Sequence, residues 1–399
     1  MQPLSEADRA MLLELTALPT AAGREWRVVS YVTGWCAERE DVVCTPDPSG
    51  NLVIERRGAP THTDVAPLYI TAHMDHPAFV VQSVEDDGAT LRLEFRGGVK
   101  DPYFKNAPIA AYTREDQPVF ATLTQAGEAD PYRACVARVH DDQRARAKDL
   151  LPGDVARWRL PDPTIEPIRI DGEDVGDALW THACDDLAAL AAALVAFDRL
   201  RDHPEAAHVR LLLTRAEEVG FIGAIGACKA GTMPGNARVV LLENSRASAF
   251  APIGDGPIVR VGDRMSTFHP VLTSAFADLA RALENEARER QDETPFRWQR
   301  KLMTGGACEA SCYQAYGYEA ACLCLPLGNY HNMSELDRVE DEEPEALEHA
   351  RCGPEHVAIF DWLGMVELLV GAGTRLNEPT PMLDKLEKLF GERSAILTP

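Results

Sequence analysis

The sequence predicts an α/β fold, in which a mixed, largely parallel central sheet is flanked by helices and carries an inserted all-β domain. Short apolar runs such as residues 68–72 and 209–214 are typical of buried central strands. The segment 186–201, rich in Ala and Leu, is typical of a packed helix. From residue 78 to about 180, short strand patterns alternate with turn residues and no long helical pattern is present.

The composition is that of a globular protein. The 399 residues are 45% hydrophobic and 26% charged, which suits one large domain or two. The formal net charge of −23 argues against a nucleic-acid partner, because phosphate binding needs clustered Lys and Arg. No apolar run is long enough to span a bilayer, and no basic-then-apolar signal pattern opens the chain. We therefore expect no membrane partner and a cytoplasmic location.

The change from helical patterns to short strand patterns near residue 78 predicts two domains. Residues 1–77 and 179–399 would form one discontinuous α/β domain, and residues 78–178 an inserted β-barrel-like domain. Ser5 is the expected N-cap of the first helix, which ends near Thr16. The other elements that we predict for the α/β domain are strands at 52–55, 68–72, 209–214, 237–243 and 319–325, and helices at 26–38, 186–201, 223–230, 270–288 and 355–369.

Two adjacent acids, Glu217 and Glu218, lie in the turn at the end of the predicted strand 209–214. Gly220 and Gly223 come next and allow a tight turn into the following element. In open α/β sheets, ligands bind beyond the carboxyl ends of the strands. The pair is therefore a candidate metal ligand with a general base beside it, although the same residues alone would also fit a solvated acidic turn.

Potential metal ligands recur at strand ends or at a helix start. Each has an ordinary structural alternative: a buried core histidine, a helix N-cap, a strand-end charge or a loop residue. One parallel sheet brings such ends to one edge, so their recurrence favours a metal site. Mixed His and carboxylate ligands suit Zn²⁺ or Co²⁺, whereas an all-oxygen site would suit Mg²⁺ or Ca²⁺. The residues are His73 with Asp75, Asp185 with Asp186, Glu217 with Glu218, Glu243, and His331.

These residues, in this order, resemble the motifs of the co-catalytic dizinc peptidases, which include the M20, M28 and M42 families. The resemblance runs from the first helix to about Ala372. His73 and Asp185 are 112 positions apart, and Glu243 and His331 are 88 apart. M42 relatives carry an all-β domain in the first of these intervals, M20 relatives carry an extra domain in the second, and M28 enzymes lack one. The chain therefore looks like an M42 aminopeptidase.

The resemblance implies a site with two divalent metal ions, zinc or else cobalt, and no other cofactor. Asp185 would bridge the ions, His73 and Glu243 would complete one site, and Glu218 and His331 the other. Glu217 would be the general base toward a metal-activated water, and Asp75 would hold His73 in the correct tautomer. In this clan the peptide bond after the bridging aspartate is often cis.

The resemblance also implies a function and an assembly. Residues would be released from the amino ends of peptides, and the inserted domain would build dimers or larger homo-oligomers. An M20-like amidase, deacylase or carboxypeptidase with the same metal core, and a non-catalytic scaffold, remain as alternatives. A carboxypeptidase needs a cation for the terminal carboxylate, but acids dominate these motifs. The only cations near the motifs in sequence are Arg215, Arg246 and Arg264.

Some positions depart from the M42 pattern. Glu243 stands where Asp is common, His76 where an acid is usual, and Leu187 where Arg follows the paired aspartates. Residues 305–310 replace the usual Gly-Gly-Thr-Asp-Ala. The implied metal ligands are thus retained, while positions that would contact substrate differ.

Four of the ten cysteines lie close together in sequence. Their spacing is not that of paired Cys-x-x-Cys zinc ligands, and alternate positions in a strand explain two of them. Reduced core thiols are therefore favoured over a structural zinc site or a disulfide. The four are Cys308, Cys312, Cys322 and Cys324.

Overall fold

An eight-stranded mixed sheet forms the centre of the larger α/β unit. The computed structural model describes residues 3–59, 66–170, 172–376 and 382–397. The strand order in the sheet is β1-β2-β12-β3-β13-β16-β14-β15. The strands are β1 (Val42–Pro46), β2 (Leu52–Arg56), β3 (Leu68–His73), β12 (Val209–Thr214), β13 (Arg238–Arg246), β14 (Ile258–Arg260), β15 (Gln299–Lys301) and β16 (Glu319–Leu327).

The four central strands β12, β3, β13 and β16 run parallel, and antiparallel pairs occur on both sides of them. Every residue of β3 and β12 is buried. Helices cover both faces of the sheet, so these strands are buried along their whole length and do not alternate between buried and exposed residues. Their parallel direction places the ends of β3 and β12 side by side, with Thr214 paired to His73.

Helices pack around this sheet. Ser5 caps the first of them, as predicted, by accepting a hydrogen bond from the Asp8 amide at 3.1 Å. The Ala-rich helix that follows Asp186 is almost wholly buried between the sheet and its neighbours. No helix in the described ranges is long and apolar enough to cross a membrane. The helices are α1 (Glu6–Thr16), α2 (Trp26–Ala37), α3 (Arg144–Ala147), α4 (Leu187–Leu200), α5 (Ile222–Ala230), α6 (Pro270–Glu289), α7 (Glu309–Ala315), α8 (Leu336–Glu340), α9 (Pro344–His349), α10 (Ile359–Arg375) and α11 (Met382–Arg393).

The insert is a closed antiparallel barrel. Its core holds a cluster of aromatic rings in edge-to-face contact, and the ring centroids of Phe79 and Trp158 are 4.8 Å apart. The order around the barrel is β4-β5-β8-β7-β6-β9. The strands are β4 (Ala78–Glu85), β5 (Thr90–Arg96), β6 (Pro108–Tyr112), β7 (Pro118–Ala129), β8 (Arg133–Val139) and β9 (Val155–Trp158). The predicted α/β fold with an inserted all-β domain is confirmed.

A separate three-stranded sheet joins the end of the insert to the C-terminal part of the chain. It consists of β10 (Thr164–Ile170), β11 (Glu173–Thr181) and β17 (Glu355–Ala358). The barrel strands thus end at Trp158, while β11 crosses residue 178 and pairs with β17. The exact domain boundaries at 77/78 and 178/179 stay a prediction.

Two element predictions need correction. The helix predicted at 355–369 begins only at Ile359, because residues 355–358 pair with β11 as a strand. The strand predicted at 237–243 continues to Arg246, because β16 pairs with it along its whole length. Glu243 therefore lies within the strand and not at its end.

Candidate metal centre

The predicted site residues converge at the carboxyl edge of the central strands. His73 ends β3, and Glu217 and Glu218 follow β12 after two residues. Asp185 lies two residues before α4, and His331 lies in a short 3₁₀ turn after β16. The topology thus brings together segments that are far apart in the sequence.

Asp185 lies between the two histidines. Its Oδ1 is 3.3 Å from Nε2 of His73, and its Oδ2 is 3.5 Å from Nε2 of His331. The same His331 nitrogen is 3.5 Å from Oε1 of Glu218. One carboxylate that faces a different imidazole with each oxygen has the arrangement of a ligand shared by two ions.

Three overlapping groups have potential ligand atoms within 4.8 Å of one another. All three groups lie within this one site, and His73, Asp185 and Glu218 each belong to two of them. The groups are His73 with Glu217 and Glu218, His73 with Asp185 and Asp186, and Asp185 with Glu218 and His331.

Glu243 lines the same cavity but belongs to none of these groups of described residues. Its Oε1 accepts a hydrogen bond from the Asn244 amide at 3.1 Å. Burial raises the pKa of Glu243 well above its usual value, and the charges of Asp185 and Glu217 add to this. Glu243 is thus within the field of the other acids, and its role as a ligand stays a prediction.

Both histidines present Nε2 to the acids, because a backbone carbonyl occupies Nδ1 in each case. Nδ1 of His73 is 3.1 Å from the carbonyl oxygen of Asp75, and Nδ1 of His331 is 2.6 Å from that of Gly98. An Nδ1–H that donates to a carbonyl fixes the tautomer and leaves the Nε2 lone pair free for a metal. Gly98 belongs to the insert, so the insert contributes directly to the site.

The carboxylate of Asp75 contacts the acidic pair more closely than it contacts His73. It accepts hydrogen bonds from the amides of Glu217 and Glu218 at 3.0 and 3.1 Å, while its Oδ1 is 3.6 Å from Nδ1 of His73. Asp75 is fully buried. The backbone carbonyl of Asp75 therefore orients His73, and its side chain fixes the turn that carries Glu217.

The site carries more negative charge than its two histidines can balance. Oδ1 of Asp185 and Oε1 of Glu218 are buried and accept no hydrogen bond from the residues that the structure describes. Burial raises the pKa of Glu218 to about 7. Although burial alone would lower it, the charges of Glu218 and Asp185 raise the pKa of His331 to about 9. Buried carboxylates with open lone pairs beside imidazole nitrogens form a donor set that fits divalent cations, and such a cation would displace the proton from each imidazole.

Sequence reasoning missed two residues that hold the turn before Glu217. Ala216 has a left-handed backbone conformation with a φ of +53°. Glu25 accepts a hydrogen bond from the Ala216 amide at 3.0 Å, and Asn51 accepts one from the Arg215 amide at 3.1 Å. Neither residue stands near the acidic motif in sequence, so no local pattern could reveal them.

The paired aspartates do not act as a helix cap. Asp186 occupies the N-cap position of α4, but its side chain makes no capping hydrogen bond. It accepts instead from the His73 amide at 3.2 Å and from Nδ2 of Asn244 at 2.8 Å. The peptide bond between Asp185 and Asp186 is cis, as the resemblance implied.

A cavity of about 830 Å³ opens at the site, which is space for a substrate of several residues. Most of its cations are already engaged. Arg246 pairs with Asp337 and Glu340, Lys100 pairs with Glu340, and Arg260 donates to backbone carbonyls. The cysteines near this region, like all ten in the chain, are free.

Comparisons with known proteins support the resemblance seen in the motifs. A family model described as M42 glutamyl aminopeptidase matches residues 171–345. No curated protein sequence matches the chain. The family match and the similar solved structures together confirm the predicted M42 resemblance.

Three solved structures share the fold at low sequence identity. The TET aminopeptidase of Thaumarchaeota archaeon SCGC AB-539-E09 has a TM-score of 0.69 at 16% identity, over 96% of this chain and 99% of that one. An aminopeptidase of Desulfurococcus kamchatkensis has a TM-score of 0.68 at 20% identity, over 92% and 94%. The TET1 peptidase of Pyrococcus horikoshii, which can assemble into a tetrahedron or a large octahedral shell, has a TM-score of 0.65 at 19% identity, over 92% and 99%.

Proposed function

We propose that this chain, which resembles the M42 aminopeptidases in sequence and in fold, is a metal-dependent aminopeptidase that releases residues from the amino ends of peptides. One observation carries the proposal. Asp185 faces His73 with one oxygen and His331 with the other, inside a cavity that is also lined by Glu217, Glu218 and Glu243. This arrangement supports a site for two cations rather than one.

The residues present fit such a pair of ions. His73, Asp185 and Glu243 would hold one ion, and Asp185, Glu218 and His331 the other. When bound, two divalent cations polarise a scissile carbonyl and acidify water. Zn²⁺ or Co²⁺ suits this mixed set of imidazole and carboxylate donors better than Mg²⁺ or Ca²⁺.

Glu217 is our proposed general base. Its side chain lines the cavity, and no hydrogen bond from another described residue occupies its carboxylate. Its backbone amide is fixed by Asp75 at 3.0 Å, which limits the positions that the carboxylate can reach. Glu217 would take a proton from the attacking water and deliver it to the leaving amine.

The charges around the cavity favour the amino end of a peptide. An α-ammonium group would be attracted by the buried acids, which exceed the two histidines in number. A terminal carboxylate needs a free cation, and Arg215 is engaged with Glu25 at 2.8 Å. Arg246 is likewise paired with acids. These two arginines are therefore poor candidates for a carboxylate clamp.

The position of Arg264 keeps a second function open, that of a carboxypeptidase or an M20-like deacylase. It is exposed and lines the cavity, and no side-chain ion pair engages its guanidinium among the described residues. A carboxypeptidase or an M20-like deacylase would use such a group to hold a substrate carboxylate. The alternative therefore makes a specific demand on Arg264 that the aminopeptidase does not make.

We further propose that the chain forms a homo-oligomer with peptides as its substrates. The support is the shared fold with the P. horikoshii peptidase, which can assemble into a tetrahedron or an octahedral shell. The barrel is the part of the fold that we expect to mediate such contacts, and a cytoplasmic location remains our expectation.

The test uses one peptide in two forms, with a free and with an acetylated amino terminus. Metal-loaded protein should shorten only the free form, from its amino end. Arg264→Ala should leave this activity unchanged. Equal cleavage of both forms, removal of C-terminal residues, or loss of activity toward N-acyl amino acids in Arg264→Ala would favour the second function instead.

A further inference from the structure

Glu355 is a fully buried acid that lies behind the metal centre and that no sequence motif singled out. It is the first residue of β17. Its Oε2 accepts a hydrogen bond from the amide of Asp185 at 3.0 Å, and its Oε1 accepts one from the amide of His331 at 2.8 Å. A single carboxylate therefore links the backbones of two residues that are 146 positions apart and that both face the cavity.

The strand that carries Glu355 lies between the two ligand-bearing segments. On one side, Glu355 pairs with Thr181 at the end of β11, four residues before Asp185. On the other side, His356 exchanges backbone hydrogen bonds of 2.9 and 3.2 Å with Gly328, three residues before His331. The position of Glu355 is thus fixed by both of the segments that its side chain connects.

Gly328 is needed for this arrangement. A Cβ at this position would lie 2.1 Å from the imidazole ring of His356, so a larger residue would force the ring or the backbone to shift. The His356 ring in turn stacks on Trp180, with 4.1 Å between the ring centroids. The register that brings Glu355 to both amides is therefore set by packing on both sides.

The turn that carries His331 needs such support. Asn329, His331 and Asn332 all have left-handed backbone conformations, with φ values of +52°, +54° and +64°. This region is unfavourable for residues other than glycine, and such a conformation persists only where the surroundings hold it. Glu355 supplies one constraint through the His331 amide, and the Asn332 side chain supplies others by donating to the carbonyls of His182 and Gly353.

A purely stabilising role does not explain the choice of an acid here. Glu355 has no ion-pair partner among the described residues, and a buried carboxylate without a cation is costly. Its two oxygens instead match two amide donors, a demand that a neutral side chain of the same shape cannot meet, because an amide group offers only one acceptor oxygen.

We propose that Glu355 is a positioning residue that sets the separation and orientation of Asp185 and His331 for metal binding. This inference rests on the proposed function, because it requires that the two residues bind metal. Glu355 does not line the cavity, so it acts through the two backbones that it holds and not by contact with a substrate. Residues of this kind typically change metal affinity 10- to 100-fold when they are replaced.

The experiment is a Zn²⁺ titration of metal-free, full-length protein in competition with a chromogenic chelator. Glu355→Gln keeps the shape of the side chain but can accept only one of the two amides. We expect its Zn²⁺ affinity to fall about 10- to 100-fold. The matched control is Glu348→Gln in α9, an exposed residue, which should keep the wild-type affinity.

Melting temperatures with and without Zn²⁺ separate positioning from general stabilisation. A residue that only stabilises the fold lowers both temperatures equally, whereas loss of positioning reduces the increment that Zn²⁺ adds. If Glu355→Gln does not fold, Glu355→Asp keeps the carboxyl group but is too short to reach both amides, so the same loss of increment is expected.

The outcomes distinguish the two proposals. Wild-type affinity and a wild-type increment in a folded Glu355 variant would refute the positioning role and leave the proposed function intact. Failure of the wild-type protein to bind Zn²⁺ or Co²⁺ at all would overturn the metal-dependent function, and the role of Glu355 with it.

Discussion

Replacing each of the two adjacent acids by glutamine should produce two different defects. Glu217 and Glu218 follow the same strand, and their amides bind the two oxygens of the same carboxylate, that of Asp75. Because their backbones are fixed alike, a difference between the two variants must come from the side chains. The pair is therefore its own matched control.

Glu217→Gln should remove turnover and leave metal binding almost intact. The change deletes a proton acceptor without altering the volume of the side chain. Loss of a general base costs typically 10²- to 10⁴-fold in rate, or about 2.7 to 5.5 kcal/mol of activation free energy. The expected result is a fall of that size in kcat, with a metal stoichiometry equal to that of the wild type.

Glu218→Gln should instead weaken metal binding. Oε1 of Glu218 lies 3.5 Å from Nε2 of His331, and no hydrogen bond from a described residue satisfies it. A unit charge about 4 Å from a cation charge contributes about 4 kcal/mol at an effective dielectric constant of 20. Relaxation and water reduce this value, so we expect an affinity loss on the order of 10- to 1,000-fold.

The assay measures kcat with a free-amino peptide at saturating Zn²⁺, and the bound metal after dialysis. At saturating metal, Glu218→Gln should regain part of its activity, whereas Glu217→Gln should not. If the two phenotypes are exchanged, the roles of base and ligand have been assigned to the wrong residues. If both variants retain wild-type turnover, the acidic pair is not part of the catalytic site.

Three further results are expected. Chelation should abolish hydrolysis and Zn²⁺ or Co²⁺ should restore it, because the site combines imidazole and carboxylate donors; full activity of the metal-free protein would contradict a dimetal mechanism. Sizing chromatography of the intact protein should show an assembly larger than one chain, and a monomer would contradict the proposed role of the barrel. The third result concerns Asp361, which accepts hydrogen bonds from the Gly254 and Gly256 amides. Burial raises the pKa of Asp361 to about 7. Because the folded-state pKa lies above the usual value near 3.8, the stability linked to this group is fully present below about pH 4 and is lost as pH rises through about 7. We expect the free energy of unfolding of Asp361→Asn, measured with urea, to rise by about 2 to 3 kcal/mol relative to that of the wild type between pH 5 and pH 7.5. If the unfolding free energies of the two proteins change in parallel with pH, the raised pKa of Asp361 is refuted.

Sequence reasoning could place the candidate metal centre because the signal for it is local. A buried apolar run that ends in His73, or that runs into Glu217, is visible within a few residues, and parallel strands bring such ends together. The same logic placed the insert between His73 and Asp185, because strand patterns and turns replace helical periodicity there. Features of this kind depend on short-range pattern and on one rule of sheet topology.

The residues that hold the centre were not predictable in this way. Glu25 lies in a loop after α1, and Asn51 lies in a turn before β2, yet both bind amides next to Glu217. Gly98 contributes only a carbonyl oxygen to His331, so its side chain carries no signal at all. Such contacts arise from long-range packing, which no local pattern in a single sequence encodes.

Glu355 shows why local helix propensity can lead to a wrong prediction of secondary structure. An acid before an apolar segment with helical periodicity is what the first turn of a helix prefers, so residues 355–369 were predicted to form one helix. In the structure, hydrogen bonds from β11 and from Gly328 hold residues 355–358 extended, and the helix starts afterwards. Four extended residues allow the chain to pass between the segments that carry Asp185 and His331, whereas a helix beginning at Glu355 would lose this pairing with β11. The conflict between local preference and observed structure therefore falls at Glu355, which accepts hydrogen bonds from the amides of both Asp185 and His331. A functional constraint is expected to override local propensity at such a position.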